Sequence, residues 1–290
     1  MAVDYRSKIK GVLEYIQRNI DSKLTLEELA QFVFLSPFHF HRIFKAMVGE
    51  NVMEHVTRLK IERAAKQLSQ SDSAIIDIAF DTGYTSQAAF TRAFRRRFQT
   101  TPKEYRKLIN NPGVKQYDIY LGCNLESDFT PKLYGGHQMK VELLDFPQTK
   151  IACMRHAGPY SEVGHSWHKL VAWATKQKLI DQTTQFIGIG YDDPSEVSPQ
   201  SLSYDACLSV NKSMPDDAIE YKSIPAGKHA VVTHKGPHDT LHQTYLKLYG
   251  DWLPQHGYDL SPFPCFVIYK NSPFNTQPED LVTEIHLPLK

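Results

Sequence analysis

The sequence predicts a two-part chain. An all-α N-terminal domain holds two helix-turn-helix motifs joined by a long helix, and an α+β C-terminal domain is made of two strand-helix-strand-strand repeats. Three observations predict this. Apolar residues recur at helical spacing through residues 1–112, punctuated by N-cap signals. From Met139 the pattern changes to short alternating or apolar runs between turn signals. Within that second part the chain repeats itself at an offset of 78 residues: Val141–Pro147 is echoed by Ile219–Pro225, and Lys150–Tyr160 by Lys228–His238.

The first helix follows from Tyr5, Ile9, Val12, Leu13, Ile16 and Ile20 at helical spacing. Thr25 and Glu28 form a capping box that opens a short helix from Leu26 to about Phe34. Ser36 caps the next helix. Pro37 stands at its first position, where the missing N–H costs nothing. This helix should bury Phe40, Ile43, Phe44 and Met47 and leave Phe38, His41, Arg42 and Lys45 outside, with Gly49 ending it. A longer helix spans about Val52 to Leu68, packed through Ile61, Ala64, Ala65 and Leu68. Ile75, Ile76, Ile78 and Ala79 then make a short helix, and Asp81-Thr82-Gly83-Tyr84 makes a tight turn. Ser86 caps a further helix with Phe90, Ala93, Phe94 and Phe98 on one side, Gln87, Thr91 and Arg92 on the other, and Arg95, Arg96 and Arg97 in its last turn. A helix, a glycine-containing turn and a second helix make a helix-turn-helix, whose second helix can enter the major groove of DNA. The caps Ser36 and Ser86 lie 50 residues apart. The connecting helix spans about 25 Å at 1.5 Å per residue, which suits two recognition helices about 34 Å apart, one turn of DNA. One chain would then read two successive grooves as a monomer.

Charge supports the division. Residues 1–112 carry 18 Lys and Arg against 12 Asp and Glu, a net +6, and the remainder carries 15 against 20, a net −5. A basic half suits an anionic polymer. No apolar run is long enough to span a membrane and the N-terminus shows no signal peptide, so a cytosolic chain is expected. Cys123, Cys153, Cys207 and Cys265 form no CxxC and read as reduced structural thiols.

The second helix-turn-helix ends in a specific pattern: Gly83, Tyr84, Ser86, Phe90, Arg92, Phe94, Phe98, Thr101, Pro102, Tyr105 and Arg106. On these residues the N-terminal third resembles the DNA-binding domain of the AraC/XylS family of transcription regulators. The resemblance implies that Phe38, His41 and Arg42 of the first motif, and Gln87, Ala88, Thr91 and Arg92 of the second, enter the grooves. Relatives tend to carry Trp at the position of Phe38 and Gln at those of His41 and Ala88, so their base sequence does not transfer. The chemistry agrees in part. Arg bonds guanine bidentately, Gln suits adenine, and Ala or Thr methyls pack on thymine. Lys45, Arg95, Arg96, Arg97 and Lys103 suit phosphates, giving affinity without sequence information.

Asn110-Asn111-Pro112-Gly113 breaks the helical pattern, and residues 113–138 read as an extended connector. In the repeat that follows, each His-x-Gly-Pro precedes an amphipathic helix, Val163–Lys178 and Thr240–Gln255. Strand-like runs follow each: Gln185–Tyr191 and Tyr204–Val210, then Cys265–Tyr269 and Thr283–Leu289. Two such units share a sheet and leave a cleft on one face or at the seam. The tandem over 139–290 resembles the GyrI-like effector-binding domain. That resemblance implies an aromatic, apolar pocket and a Glu on the last strand facing it, here Glu284. Alternation sets Val282, Glu284 and His286 on one face, and Thr283, Ile285 and Leu287 on the other. Trp173, Tyr191, Tyr245 and Tyr269 are the aromatic candidates for the effector site, with Trp167, Trp252 and Phe266 as further aromatic material.

No metal or cofactor is expected. His234, His238 and His242 are four apart, but Gly236-Pro237 interrupts helical geometry and no further ligand spacing completes a set. There is no P-loop, no GxGxxG and no Ser/His/Asp arrangement at recognisable spacing, so no catalytic residues are assigned. The expectation is a non-enzymatic regulator in three segments: a DNA-binding domain at 1–112, a connector at 113–138 and an effector-binding domain at 139–290. It would bind promoter DNA as a monomer and sense a small apolar or amphipathic molecule. By resemblance, it would activate by contacting RNA polymerase. Two alternatives stay open for the C-terminal domain: a hydrolase of small electrophiles with Glu284 as base, or a protein-interaction module.

Overall fold

The structure is a computed structural model that describes residues 2–110, 139–192, 198–273 and 275–290. The connector expected at 113–138 and Cys123 lie outside the described residues. Two compact bodies emerge. One, the helical body, holds residues 6–34 and 48–110; the other, the sheet body, holds residues 2–5, 35–47 and 139–290.

Seven helices form in the N-terminal part: α1 (Tyr5–Arg18), α2 (Leu26–Phe32), α3 (Pro37–Val48), α4 (Val52–Gln70), α5 (Ile75–Asp81), α6 (Gln87–Phe98) and α7 (Pro102–Ile109). The caps form as the sequence predicts. Thr25 and Glu28 close a capping box on α2, and Thr101 and Glu104 close another on α7. Ser36 Oγ accepts from His39 N–H, and Ser86 Oγ from Ala89 N–H. Gly83 takes φ +83°, where a side chain is strained. Its N–H donates to Phe80 O while Tyr84 N–H reaches Ala79 O, which ends α5 and turns the chain toward α6. In the helical body, α4 to α7 pack around Ile61, Ala64, Ala65, Leu68, Ile78, Ala79, Phe90, Phe94 and Tyr105. Glu62 is buried beside this core and is held by Arg58 at 3.1 Å and Arg97 at 2.8 Å.

The C-terminal domain is an eight-stranded antiparallel sheet: β1 (Glu142–Phe146), β2 (Thr149–Ala157), β3 (Phe186–Gly190), β4 (Ser203–Ser209), β5 (Glu220–Ile224), β6 (Gly227–Lys235), β7 (Phe266–Tyr269) and β8 (Val282–Pro288). The order is β1-β6-β8-β7-β3-β4-β2-β5. It is symmetric about the β7–β3 seam, as a duplicated unit requires. The repeats also exchange strands. β1 pairs with β6 of the second repeat, and β5 pairs with β2 of the first. The two pairings share one register: Glu142 lies opposite Val231, and Glu220 opposite Cys153, related by the same 78-residue offset.

The first repeat's helix is α8 (Val163–Lys176). The second repeat's is not one α-helix. It runs as α9 (Leu241–Lys247), a π-turn (Leu248–Trp252) and α10 (Leu253–His256). Pro254 explains the break. It lacks the N–H for a normal helical bond and its ring crowds the carbonyl four residues back, so the ladder widens ahead of it. Both His-x-Gly-Pro motifs fold alike. Gly158 and Gly236 take φ +133° and +124°. His156 Nε2 lies 3.0 Å from Pro159 O, and His234 Nε2 lies 3.3 Å from Pro237 O. The other ring nitrogen meets a helix hydroxyl, Ser166 or Thr244. These histidines tie each helix to its strand.

Candidate functional site

Helix α6 carries its chemistry on one side. Phe90 and Phe94 are fully buried, their tilted rings 5.6 Å apart, and Phe94 meets Tyr105 at 5.2 Å. The opposite side presents Gln87, Ala88 and Arg92 to solvent, with Thr91 half-buried beside them. Of the arginines in the last turn, Arg95 and Arg96 are exposed without an ion pair to a carboxylate, whereas Arg97 is bound to buried Glu62. The run expected to meet phosphates therefore splits. Arg96 has its charge outward, while Arg97 neutralises an interior carboxylate.

Helix α3 differs. Phe40, Ile43, Phe44 and Met47 are buried as expected, but so are His39 and His41, at 1% and 5% exposure. His41, expected on the outer face, is enclosed. Arg42 and Phe38 are half-buried, and Lys45 is half-buried further along. The Arg42 guanidinium lies between two rings, 4.5 Å from Phe38 and 4.4 Å from Tyr245 of α9. His39 lies 3.2 Å from Tyr249 Oη through Nδ1 and 3.0 Å from Ser261 O through Nε2. Burial, with the Arg42 charge adding to it, holds the His39 ring at about 4, well below an ordinary histidine. The ring is therefore neutral at pH 7. Its Nε2–H must donate to the Ser261 carbonyl, so the Tyr249 hydroxyl donates to Nδ1.

The sheet separates the effector candidates. Strand register puts Cys153, Asp205, Cys207, Ile187, Ile268, Glu284 and His286 on one face. Tyr191 belongs there too, donating from its hydroxyl to Asp205 Oδ2 at 2.8 Å. Asp205 is fully buried and bridged by Arg155 at 2.5 Å and Lys222 at 2.7 Å. Glu284 is partly exposed, 3.4 Å from Lys270 and 3.5 Å from His286. His286 stacks on Phe266 with centroids 5.0 Å apart, and burial holds its ring at about 4.

The other face, toward α8, carries Tyr204 and Tyr269. Their hydroxyls meet at 3.1 Å above Gly188. A Cβ on Gly188 would sit 2.9 Å from Tyr269 Oη, so this glycine is what lets the two rings converge. Trp167 of α8 meets Tyr269 edge-on at 5.8 Å, His238 meets it at 5.0 Å, and Tyr160 meets Tyr204 at 6.0 Å. Burial raises the tyrosine pKa values here, so these hydroxyls stay neutral hydrogen-bonding groups. Tyr269 thus joins an aromatic cluster at the seam, Tyr245 lies against Arg42, and Glu284 and Tyr191 lie on the reverse face. Trp173 packs with Leu170 and Leu208 beside α8. Sequence reasoning left Trp167 unassigned and missed Tyr160, Tyr204 and His238. The 78-residue echo pairs Tyr160 with His238 and Trp167 with Tyr245, and that was the available signal.

Among the described residues, Cys153, Asp205 and Cys207 offer ligand atoms within 4.8 Å of one another. Arg155 and Lys222 already answer the Asp205 charge, which leaves a cation little to gain there. His234 and His242 each bond locally, to Thr244 Oγ1 and Asp239 O. No helix among the described residues is long and apolar enough to cross a membrane.

Comparison with known proteins covers both parts. The GyrI-like small molecule binding domain matches residues 139–290, and a helix-turn-helix domain matches residues 29–108. The probable transcriptional regulator YgiV of Escherichia coli (strain K12) is 26% identical over 155 residues, 52% of this chain and 96% of its own. The regulatory protein SoxS of Salmonella typhimurium is 32% identical over 104 residues, 36% of this chain and 97% of its own. The probable transcription factor PqrA of Proteus vulgaris is 37% identical over 115 residues, 40% of this chain and 90% of its own. Among solved structures, the EcmrR C-terminal domain is 23% identical with a TM-score of 0.44, covering 52% of this chain and 98% of its own.

Proposed function

Because the chain belongs to the AraC/XylS family, as a DNA-binding transcription regulator that ends in a GyrI-like effector-binding domain, we propose how it divides the work. Residues 1–112 bind promoter DNA as a monomer, 113–138 connect, and 139–290 sense a small apolar or amphipathic molecule without turning it over. Gln87, Ala88, Thr91 and Arg92 read bases from α6, and Arg96 holds phosphate. Phe38, Arg42 and Lys45 belong to the first motif's share of the contact, from which buried His41 drops out. The protein activates transcription beside RNA polymerase. The observation that carries the DNA reading is α6 itself: a helix sunk on its Phe90 and Phe94 side with Gln87, Ala88 and Arg92 standing in water. A row of exposed donors and methyls on an anchored helix is what direct readout in the major groove needs.

The effector cleft in this reading is the Tyr204, Tyr269, Tyr245 and Trp167 cluster on the α8 side. Neutral hydroxyls and ring faces suit a largely apolar ligand with one or two polar atoms. Glu284 and Tyr191 on the reverse face are left out of it. The test is a melting-temperature titration of the full-length chain with lipophilic cations, bile-salt-like anions and fatty acids, each compound being recovered and checked for chemical change. The expected result is a saturable rise with the compound intact. Tyr269→Ala should abolish it and Glu284→Gln should preserve it. Loss in Glu284→Gln alone would move the site to the reverse face, and consumption of the compound would make the domain an enzyme.

A further inference from the structure

The proposed DNA-reading arginine of the first motif is occupied inside the sheet body. The Arg42 guanidinium carbon lies 4.5 Å from the Phe38 ring centroid and 4.4 Å from that of Tyr245. Two cation–π contacts on one half-buried guanidinium hold it more firmly than one exposed contact would. One turn away, His39 fixes the same helix through two hydrogen bonds whose partners, Tyr249 and Ser261, both belong to the C-terminal domain. His39 is 1% exposed, so breaking these bonds without replacement would leave buried polar groups unpaired. The anchor points on the other side are themselves joined. Between them lies the buried Cys265 thiol, which burial pushes up to about 11.

We propose that the C-terminal domain is an intramolecular inhibitor of the first helix-turn-helix, holding Arg42 of α3 on Tyr245 and thereby off DNA. This rests on the reading of Arg42 as a DNA contact. Ring contacts leave the in-plane N–H donors of a guanidinium unused, but Arg42 is half-buried under Tyr245. In this proposal its N–H edge therefore reaches a guanine only after leaving that ring, and the docked and DNA-bound states compete. Whatever favours one disfavours the other by an equal factor. Tyr245 is where the effector enters this balance. It lies on Arg42, and its helix α9 starts just after His238, which meets Tyr269 of the cluster, so a molecule that displaces its ring loosens α3. Non-specific binding or binding through α6 alone persists in this proposal while α3 is held.

The test uses the full-length chain and a duplex that the wild-type chain selects from random-sequence DNA, with affinity followed by fluorescence anisotropy. Tyr245→Leu removes the ring and keeps apolar volume. His39→Leu removes both hydrogen bonds from the other end of the contact, and carries the test should Tyr245→Leu fail to fold. Each is expected to tighten binding about five- to tenfold, within the usual range of coupling between sites. Adding Arg42→Ala to either variant should erase the gain. Unchanged or weaker binding in the folded variants, with Arg42→Ala alone weakening it, would overturn the inhibition and leave the DNA reading standing. A gain that survives the addition of Arg42→Ala would overturn both.

Discussion

Helices α3 and α6 occupy equivalent places in two copies of one motif, and each spans 12 residues. Their surroundings differ. On α6 only Phe90 and Phe94 are buried, and the last turn carries three arginines. On α3 seven residues are buried, and the last turn carries one lysine. A helix enclosed on most of its circumference is a structural member of whatever encloses it. A helix enclosed on one stripe is free to present the rest. Duplication of a motif therefore does not duplicate its availability: α6 is set to meet DNA as it stands, whereas α3 is engaged with the C-terminal domain through Arg42 and His39.

The sharpest way to break this contrast is Arg92→Ala on α6. The guanidinium is exposed and in no ion pair among the described residues, so the melting temperature should stay where it is. Discrimination between a selected duplex and random DNA should fall about 10- to 100-fold, the value of one bidentate base contact. Competition binding with the two duplexes measures it. Equal losses on both would mean that Arg92 holds phosphate and that the reading edge of α6 lies elsewhere.

Acid should separate the helices next. Docked, His39 titrates at about 4 because burial opposes its charge. Undocked, it returns toward the ordinary 6.5. The free form then binds more protons between these values, so docking is complete above pH 6.5 and weakens as pH falls toward 4. Protonation also puts a proton on Nδ1 and removes the acceptor that the Tyr249 hydroxyl needs. Stability between pH 7 and pH 5, measured by urea unfolding, should fall less in His39→Leu than in wild type. His229 and His286 are also held at about 4 by burial, so the variant keeps part of the acid loss. An identical pH dependence in the two proteins would remove His39 from the docking contact.

Much of this architecture was legible in the sequence, for reasons that are local. Caps such as Thr25–Glu28 and Ser86 act within four residues, and the stripe of Phe90, Phe94 and Phe98 follows from helical period alone. The repeat announced two like units, and alternation correctly grouped Glu284 with His286. What stayed hidden was partner choice. Nothing in the echo of Val141–Pro147 by Ile219–Pro225 says that β1 pairs with the second repeat and β5 with the first. Nor does alternation say which face of β8 the helices cover, so Glu284 and Tyr245 read as neighbours although the sheet divides them. His41 fails for the same reason. Its polarity suggests an outward position, and only the tertiary contacts of α3 bury it. The break at Pro254, by contrast, was readable in principle from one proline inside a helical run.

The smallest expected effect concerns the arginines that look most alike. Arg96 and Arg97 are adjacent, yet Arg97 lies 2.8 Å from the carboxylate of buried Glu62 while Arg96 points its charge to solvent. Arg96→Ala should weaken selected and random duplexes alike, by a factor of a few at low salt, and reduce the slope of log affinity against log salt by about 0.9, the release of one counterion. The melting temperature should not move. Arg97→Met should do the reverse. It removes one of two cations from an interior carboxylate, so stability falls while the salt slope holds. A lowered slope in Arg97→Met would mean that Glu62 gives up this arginine when DNA arrives, making the ion pair part of the interface rather than of the fold.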